Sequence, residues 1–187
     1  NPISPSGRGA DLHQSGLALT FDEVLEFSHR IRGELQDRYP IYLCNMIPPA
    51  LLSVKELIRH GGSEGVCGVW HILGILGSGH MALCGIGRNV PELCFGRLGI
   101  DRVRDVWIHN PVLVKLRKDL VESLPGICGD CLHAGRCLTH CVALNYEMTG
   151  RLVNVTPLCS EALQRGIFPP TRRISWIPME TPGNAGE

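Results

Sequence analysis

The 187-residue chain carries 18 Lys and Arg against 18 Asp and Glu and is 44% hydrophobic, enough for one domain or a small domain beside part of another. A formal charge of zero, with no block of like charges, offers no electrostatic footprint for nucleic acid or an anionic membrane, and neither is expected as a partner. Nine Cys, 22 Gly and 13 Pro beside only 5% aromatic residues point to many tight turns and to work for sulfur.

Residues 1–10, rich in Pro and Gly, read as a loop. Thr20 with Glu23 makes a capping box, and Val24, Leu25, Ser28, Ile31 and Leu35 recur at helical spacing, so a helix is expected over 20–38, stopped by Pro40. A short strand over 41–44 follows, then the Pro48-Pro49 turn and a second helix over 53–60 that ends at Gly61-Gly62. This alternation is an α/β pattern. A domain boundary is placed near Gly61.

Residues 66–87 hold no Asp, Glu, Lys or Arg and could span a bilayer, but Gly and Ser interrupt them throughout. The expectation is a buried hairpin, 66–76 and 80–86, joined through Gly77-Ser78-Gly79 with cysteines at its outer ends. A short helix over 101–108 follows. Asn110 then caps a helix opened by Pro111, with Val112, Leu113, Leu116 and Leu120 on one side. One more short helix is expected over 141–148, closed by Gly150, in an otherwise irregular Cys-rich stretch. Beyond Phe168 the chain reads as a mobile Pro-rich tail.

Chemistry lies in the cysteine spacing. Cys128, Cys131, Cys137 and Cys141 form C-x2-C-x5-C-x3-C, and 17 residues then separate Cys141 from Cys159. Upstream, Cys67, eleven residues, Gly79, four residues and Cys84 form a second set. A two-residue gap lets one turn bring two thiolates to a metal while backbone N–H groups face the sulfurs. An odd count of cysteines without a leader-type segment disfavours a secreted disulfide framework and suggests a reducing cytoplasm. On spacing alone, four of these thiols would make a tetrahedral zinc site, and a non-catalytic zinc-binding interaction module is one reading.

The whole order, C-x11-G-x4-C, a gap, C-x2-C-x5-C-x3-C, x17 and C, resembles the seven-cysteine pattern of the SPASM domain, which binds auxiliary iron-sulfur clusters at the C-terminal end of radical S-adenosylmethionine (SAM) enzymes. The segment from Pro5 to Ala10, the capped helix and the strand resemble the last units of the radical SAM (β/α) barrel. The resemblance implies three parts: barrel fragment over 1–61, SPASM domain of irregular α+β character with a β-hairpin over 62–167, and the tail over 168–187.

It also implies two clusters of the 4Fe-4S type. Cys67, Cys84 and Cys141 would ligate the first, and Cys128, Cys131, Cys137 and Cys159 the second. The vacant position of the first could take His71 or Cys94, and Arg8 would lie near SAM; Cys44 reads as a buried thiol. Arg88, Arg97, Arg136 and Arg151 could balance cluster charge, while Asp130 and His133 could tune it. The C-x3-C-x2-C motif of the SAM-cleaving cluster does not occur, so the chain alone is not expected to cleave SAM. Its first residue, Asn1, favours a C-terminal fragment over a degenerate cluster carrier. Gly85 stands where sulfatase-maturing relatives carry an aspartate, which disfavours that activity. Peptide- or protein-modifying chemistry, served by an electron donor such as ferredoxin or flavodoxin, remains.

Overall fold

A computed structural model of the chain describes residues 8–35, 38–39, 47–59, 67–85 and 90–175. These form short helices around a small three-stranded antiparallel sheet. Helix α1 (Arg8–Gln14) already begins inside the stretch read as loop. Helix α2 (Phe21–Glu34) starts at the expected box: the Glu23 carboxylate accepts from the Thr20 N–H at 2.8 Å, and Thr20 Oγ1 accepts from the Glu23 N–H at 3.3 Å. It ends at Glu34, short of the expected 38, with Phe21, Val24, Ser28 and Arg32 on its buried face. Ser53 and Glu56 repeat the reciprocal cap on α3 (Val54–Arg59), at 2.7 and 3.2 Å. The strand expected at 41–44 and the glycine pair at 61–62 lie outside the described residues.

The hairpin is present but lopsided. Strand β1 (Gly74–Ile75) pairs with β2 (His80–Ala82), Gly74 opposite Ala82. The chain before β1 folds into a turn closed by the His71 N–H on Gly68 O at 2.8 Å. Gly79, at φ +80°, closes the hairpin from a backbone conformation that L residues rarely adopt. Unexpected from sequence, β3 (Cys94–Arg97) adds to β2 with a register shift between Met81 and Ala82. Four residues that include a glycine are too few to display alternation.

Helices α4 (Val103–His109) and α5 (Pro111–Glu122) pack beside the sheet. Asn110 Oδ1 accepts from the Val112 and Leu113 N–H groups, and Leu113, Leu116 and Leu120 are buried as expected; Val112 is only half-buried. With Leu83, Leu93, Leu138 and Val142 they form the first core, against which Cys67, Cys84 and Cys141 pack.

The Cys-rich half is more helical than expected. It contains α6 (Gly126–Gly129), α7 (Ala134–Cys137), α8 (Val142–Thr149) and α9 (Pro157–Gln164), with Gly150 at φ +69° ending α8. A second core joins Phe21 and Ala50 to Ile127, Cys131, Cys159, Ala162 and Phe168. Val24, Ile47 and Leu52 continue it toward Leu158. Described residues on both sides of the boundary placed near Gly61 thus share one core.

Residues 168–175, assigned by sequence to a mobile tail, are held. Phe168 is buried, the Ile174 N–H donates to Asp130 O at 2.7 Å, and Cys131 and Arg173 form an antiparallel bridge. No helix among the described residues is long and apolar enough to cross a membrane. No parallel strand pairing occurs among them.

Candidate metal centre

Cys128 and Cys131 sit on the tight turn that follows Leu124. A Cβ on Gly129 would lie 2.5 Å from the Leu124 carbonyl oxygen, so only glycine fits at position 129. Cys137 ends α7, and Cys159 lies in the first turn of α9. The four side chains line one small cavity of about 20 Å³, roofed by Pro48, Ala50 and Phe168. Cys128, Cys131 and Cys159 are buried and Cys137 is half-buried.

Burial pushes all four thiols up, and each is raised further by a neighbouring sulfur or carboxylate. For Cys137 burial and then Cys128 and Cys131 lift the thiol to about 12. For Cys159 the same causes, burial first and then Cys128, Cys137 and Cys131, push higher still. Cys128 is raised by burial and by Cys131, and Cys131 by burial and by Asp130. Backbone N–H groups work the other way: Thr156 on Cys128, His133 on Cys131 (3.4 Å), and His140 with Thr139 on Cys137. These thiols are neutral when alone, and a cation among them would reverse that, since metal ligation requires the thiolate.

Cys67, Cys84 and Cys141 form a second group on the other core. Burial raises Cys67, and Cys141 and Cys84 add to it; burial raises Cys141, and Cys84 adds to it. Cys141 is the N-cap of α8, its sulfur facing the N–H groups of Leu144 and Ala143. Cys141 therefore interacts with Cys67, ahead of β1, and with Cys84, two residues beyond β2. The two groups, four thiols and three, each meet at a separate core.

Between Cys137 and Cys141 the chain makes a left-handed turn. Leu138, Thr139 and His140 have φ of +50°, +61° and +68°. Such a conformation costs an L residue roughly 1–2 kcal/mol, and three in succession persist only where the surroundings over-determine them. Leu138 is buried in the first core, and Thr139 is held by Asn145. Burial also pulls His140 down to about 4.

Asp130 accepts from Arg173 Nε at 2.7 Å, from the Ser175 N–H at 2.7 Å and from Ser175 Oγ at 2.6 Å. These donors hold its carboxyl down at about 2. Its role is thus to clasp residues 173–175 onto the Cys128–Cys131 turn. His133 reaches Cys131 through its backbone, and its ring is lowered by burial and by the charges of Arg172 and Arg136.

Among the other residues singled out by sequence, Arg8 begins α1, His71 is exposed in the turn after Cys67, and Cys94 stands on β3 opposite Ala82. Arg97, Arg136 and Arg151 are exposed. Cys44 and Arg88 lie outside the described residues. Sequence reasoning missed Arg172, whose charge acts on Cys131, and the cavity roof of Pro48, Ala50 and Phe168. It also missed α9, although Pro157 after Thr156 is a helix-start signal.

Among the described residues no group of three or more His, Cys, Asp or Glu side chains forms a ready-made site for a metal ion. No family model matches the chain, and no curated protein or solved structure matches it.

Proposed function

We propose that the chain carries two iron-sulfur clusters and is the cluster-bearing part of a radical SAM enzyme that modifies a peptide or protein. The observation that carries this reading is the sorting of the seven thiols. Chain order would keep Cys141 with Cys137, four residues away, yet Cys141 acts on Cys67 and Cys84 instead. That crossing is the one the SPASM-like spacing implies.

The donor set fits the group. Four thiols without a carboxylate among them, bordering an apolar cavity, suit a soft polynuclear centre better than a hard ion. N–H groups facing Cys128, Cys131 and Cys137 would stabilise added negative charge.

When bound, the clusters supply one-electron acceptors. Cys128, Cys131, Cys137 and Cys159 would hold one and exclude water from it under the Pro48 and Ala50 roof. Cys67, Cys84 and Cys141 would hold the other, leaving one position for Cys94, His71 or a substrate group. SAM and its own cluster belong to the remainder of the enzyme, as do the peptide or protein substrate and a ferredoxin- or flavodoxin-like donor. A reducing compartment such as the cytoplasm suits such thiols.

The test is the iron, zinc and acid-labile sulfide content of the anaerobically prepared chain, with its visible spectrum and Cys159→Ala in parallel. About eight irons with matching sulfide, falling by roughly half in the variant, is the expected result. One or two zinc ions without sulfide would overturn it in favour of a structural zinc module.

A further inference from the structure

Arg172 and Arg173 are adjacent in the chain and differ in what their charges meet. Arg173 is exposed and donates to the Asp130 carboxylate, which Ser175 also serves. Arg172 is half-buried, and among the described residues it donates only to neutral oxygens: its Nη2 to Leu52 O at 3.3 Å and its Nη1 to Thr171 Oγ1 at 3.3 Å. Its Nε is buried and meets no acceptor among them. A buried donor left without an acceptor is costly, more so on a charged group, and it marks a place where an anion would be favoured.

Hydrogen bonds fix where this charge stands. The Leu132 N–H donates to Arg172 O at 2.9 Å and Cys131 bridges to Arg173, so the backbone of Arg172 lies against the turn that carries Cys128 and Cys131. Leu52, held by its side chain, is two residues beyond Ala50, and Phe168 is four residues before it; Ala50 and Phe168 both line the cavity of the four thiols. The guanidinium is thus tied to all three segments that surround the larger thiol group. Burial raises the Cys131 thiol, and the Arg172 charge opposes that rise, as a counter-charge does. Arg97, Arg136 and Arg151, which the sequence offered for balancing cluster charge, are exposed, where solvent and salt screen them.

Resting on the two-cluster reading, we propose that Arg172 is the counter-charge of the centre held by Cys128, Cys131, Cys137 and Cys159: fixed by Leu52 and Leu132, its guanidinium offsets the negative charge of that centre and sets its electron affinity. A fixed positive charge favours the reduced, more negative state, so its removal makes reduction harder. The step concerned is the uptake of one electron by the oxidised centre from a low-potential reductant of the dithionite class. Cys67, Cys84 and Cys141 pack on the other core, so the second centre should be spared.

The experiment compares wild type, Arg172→Gln, which keeps a donor and loses the charge, and Arg172→Lys, which keeps the charge and loses the fork, all as the full chain reconstituted anaerobically with iron and sulfide. Iron and sulfide per chain are measured first, and both midpoint potentials are then followed by paramagnetic resonance during a dithionite titration. The expected result for Arg172→Gln is wild-type loading with one potential shifted negative and the other unmoved, the one-electron equilibrium changing about tenfold, or about 59 mV. Arg172→Lys should stay close to wild type, which a merely structural role of the arginine would not produce. If Arg172→Gln loses iron, retained iron in Arg172→Lys supports the proposal and equal loss in both overturns it. Two unmoved potentials, two that move together, a positive shift, or a lysine variant shifted as far as the glutamine one overturn the role of Arg172 while leaving the two-cluster reading standing. A wild type without iron and sulfide overturns the two-cluster reading, and this inference with it.

Discussion

Gly129 and Gly135 both lie among the thiols of the larger group, and their surroundings separate what each glycine does. A methyl group on Gly129 would meet the Leu124 carbonyl at 2.5 Å, a backbone atom that cannot step aside cheaply, whereas nothing lies within 4 Å of the Cβ position of Gly135 in α7. Gly129→Ala should displace the Cys128–Cys131 turn and remove about half of the bound iron. Gly135→Ala should leave metal content unchanged and, by replacing glycine in a helix, add roughly 0.5–1 kcal/mol of stability. Metal analysis and chemical denaturation of the two variants check both. Equal iron loss in the pair would mean that crowding at Gly129 does not set the turn. None of this was legible in the sequence, where Gly129 is one filler of a two-residue gap; the close approach of Leu124 exists only after folding.

At the scale of elements, the clasp formed by Asp130, Arg173 and Ser175 makes the segment after Phe168 part of the larger thiol group. The Asp130 carboxyl is depressed to about 2 in the fold, below the roughly 3.9 of an unstructured aspartate. A depressed carboxylate contributes its stability above the unfolded value and loses it as pH falls through the folded one. Amide exchange at Ile174 and Ser175 in the metal-free chain should accordingly be slow above about pH 4, relative to unstructured amides at the same pH, and lose that protection between about pH 4 and 2. Asp130→Asn should lose it already at neutral pH. Protection that persists in Asp130→Asn would mean that the bridge between Cys131 and Arg173 holds the segment unaided. Helix caps such as Thr20 with Glu23 and Asn110 before Pro111 could be read directly, because the chemistry of a cap is local in sequence. The clasp could not, since Asp130 and Ser175 are 45 residues apart. The seven cysteines lie between these extremes: their spacing resembles a known pattern, but which sulfurs share a core depends on how the hairpin and the Cys-rich helices pack.

Taken whole, the molecule places one thiol group on each of two cores and joins them by three left-handed residues. The larger group is completed from a distance, by residues 47–52 and by α2, where Arg165 at the C-terminal end of α9 pairs with Asp22 at 2.8 Å and covers the Phe21 ring at 4.8 Å. Exposed ion pairs of that kind contribute little, so the apolar contacts of Phe21 and Ala50 must carry the attachment. Ala50 is 3% exposed and lines the cavity beside the four cysteines. A carboxylate at that position would be buried against developing thiolate charge, which low-dielectric surroundings make costly. Ala50→Asp should therefore strip the larger group of its metal while the three-thiol group on the other core keeps its own. The readout is a chain that retains roughly half of its iron and sulfide, with a visible spectrum like that of Cys159→Ala. Full loading of Ala50→Asp would mean that the N-terminal segment does not cover the cavity in solution, and complete loss would mean that the two cores do not fold independently enough to be separated in this way.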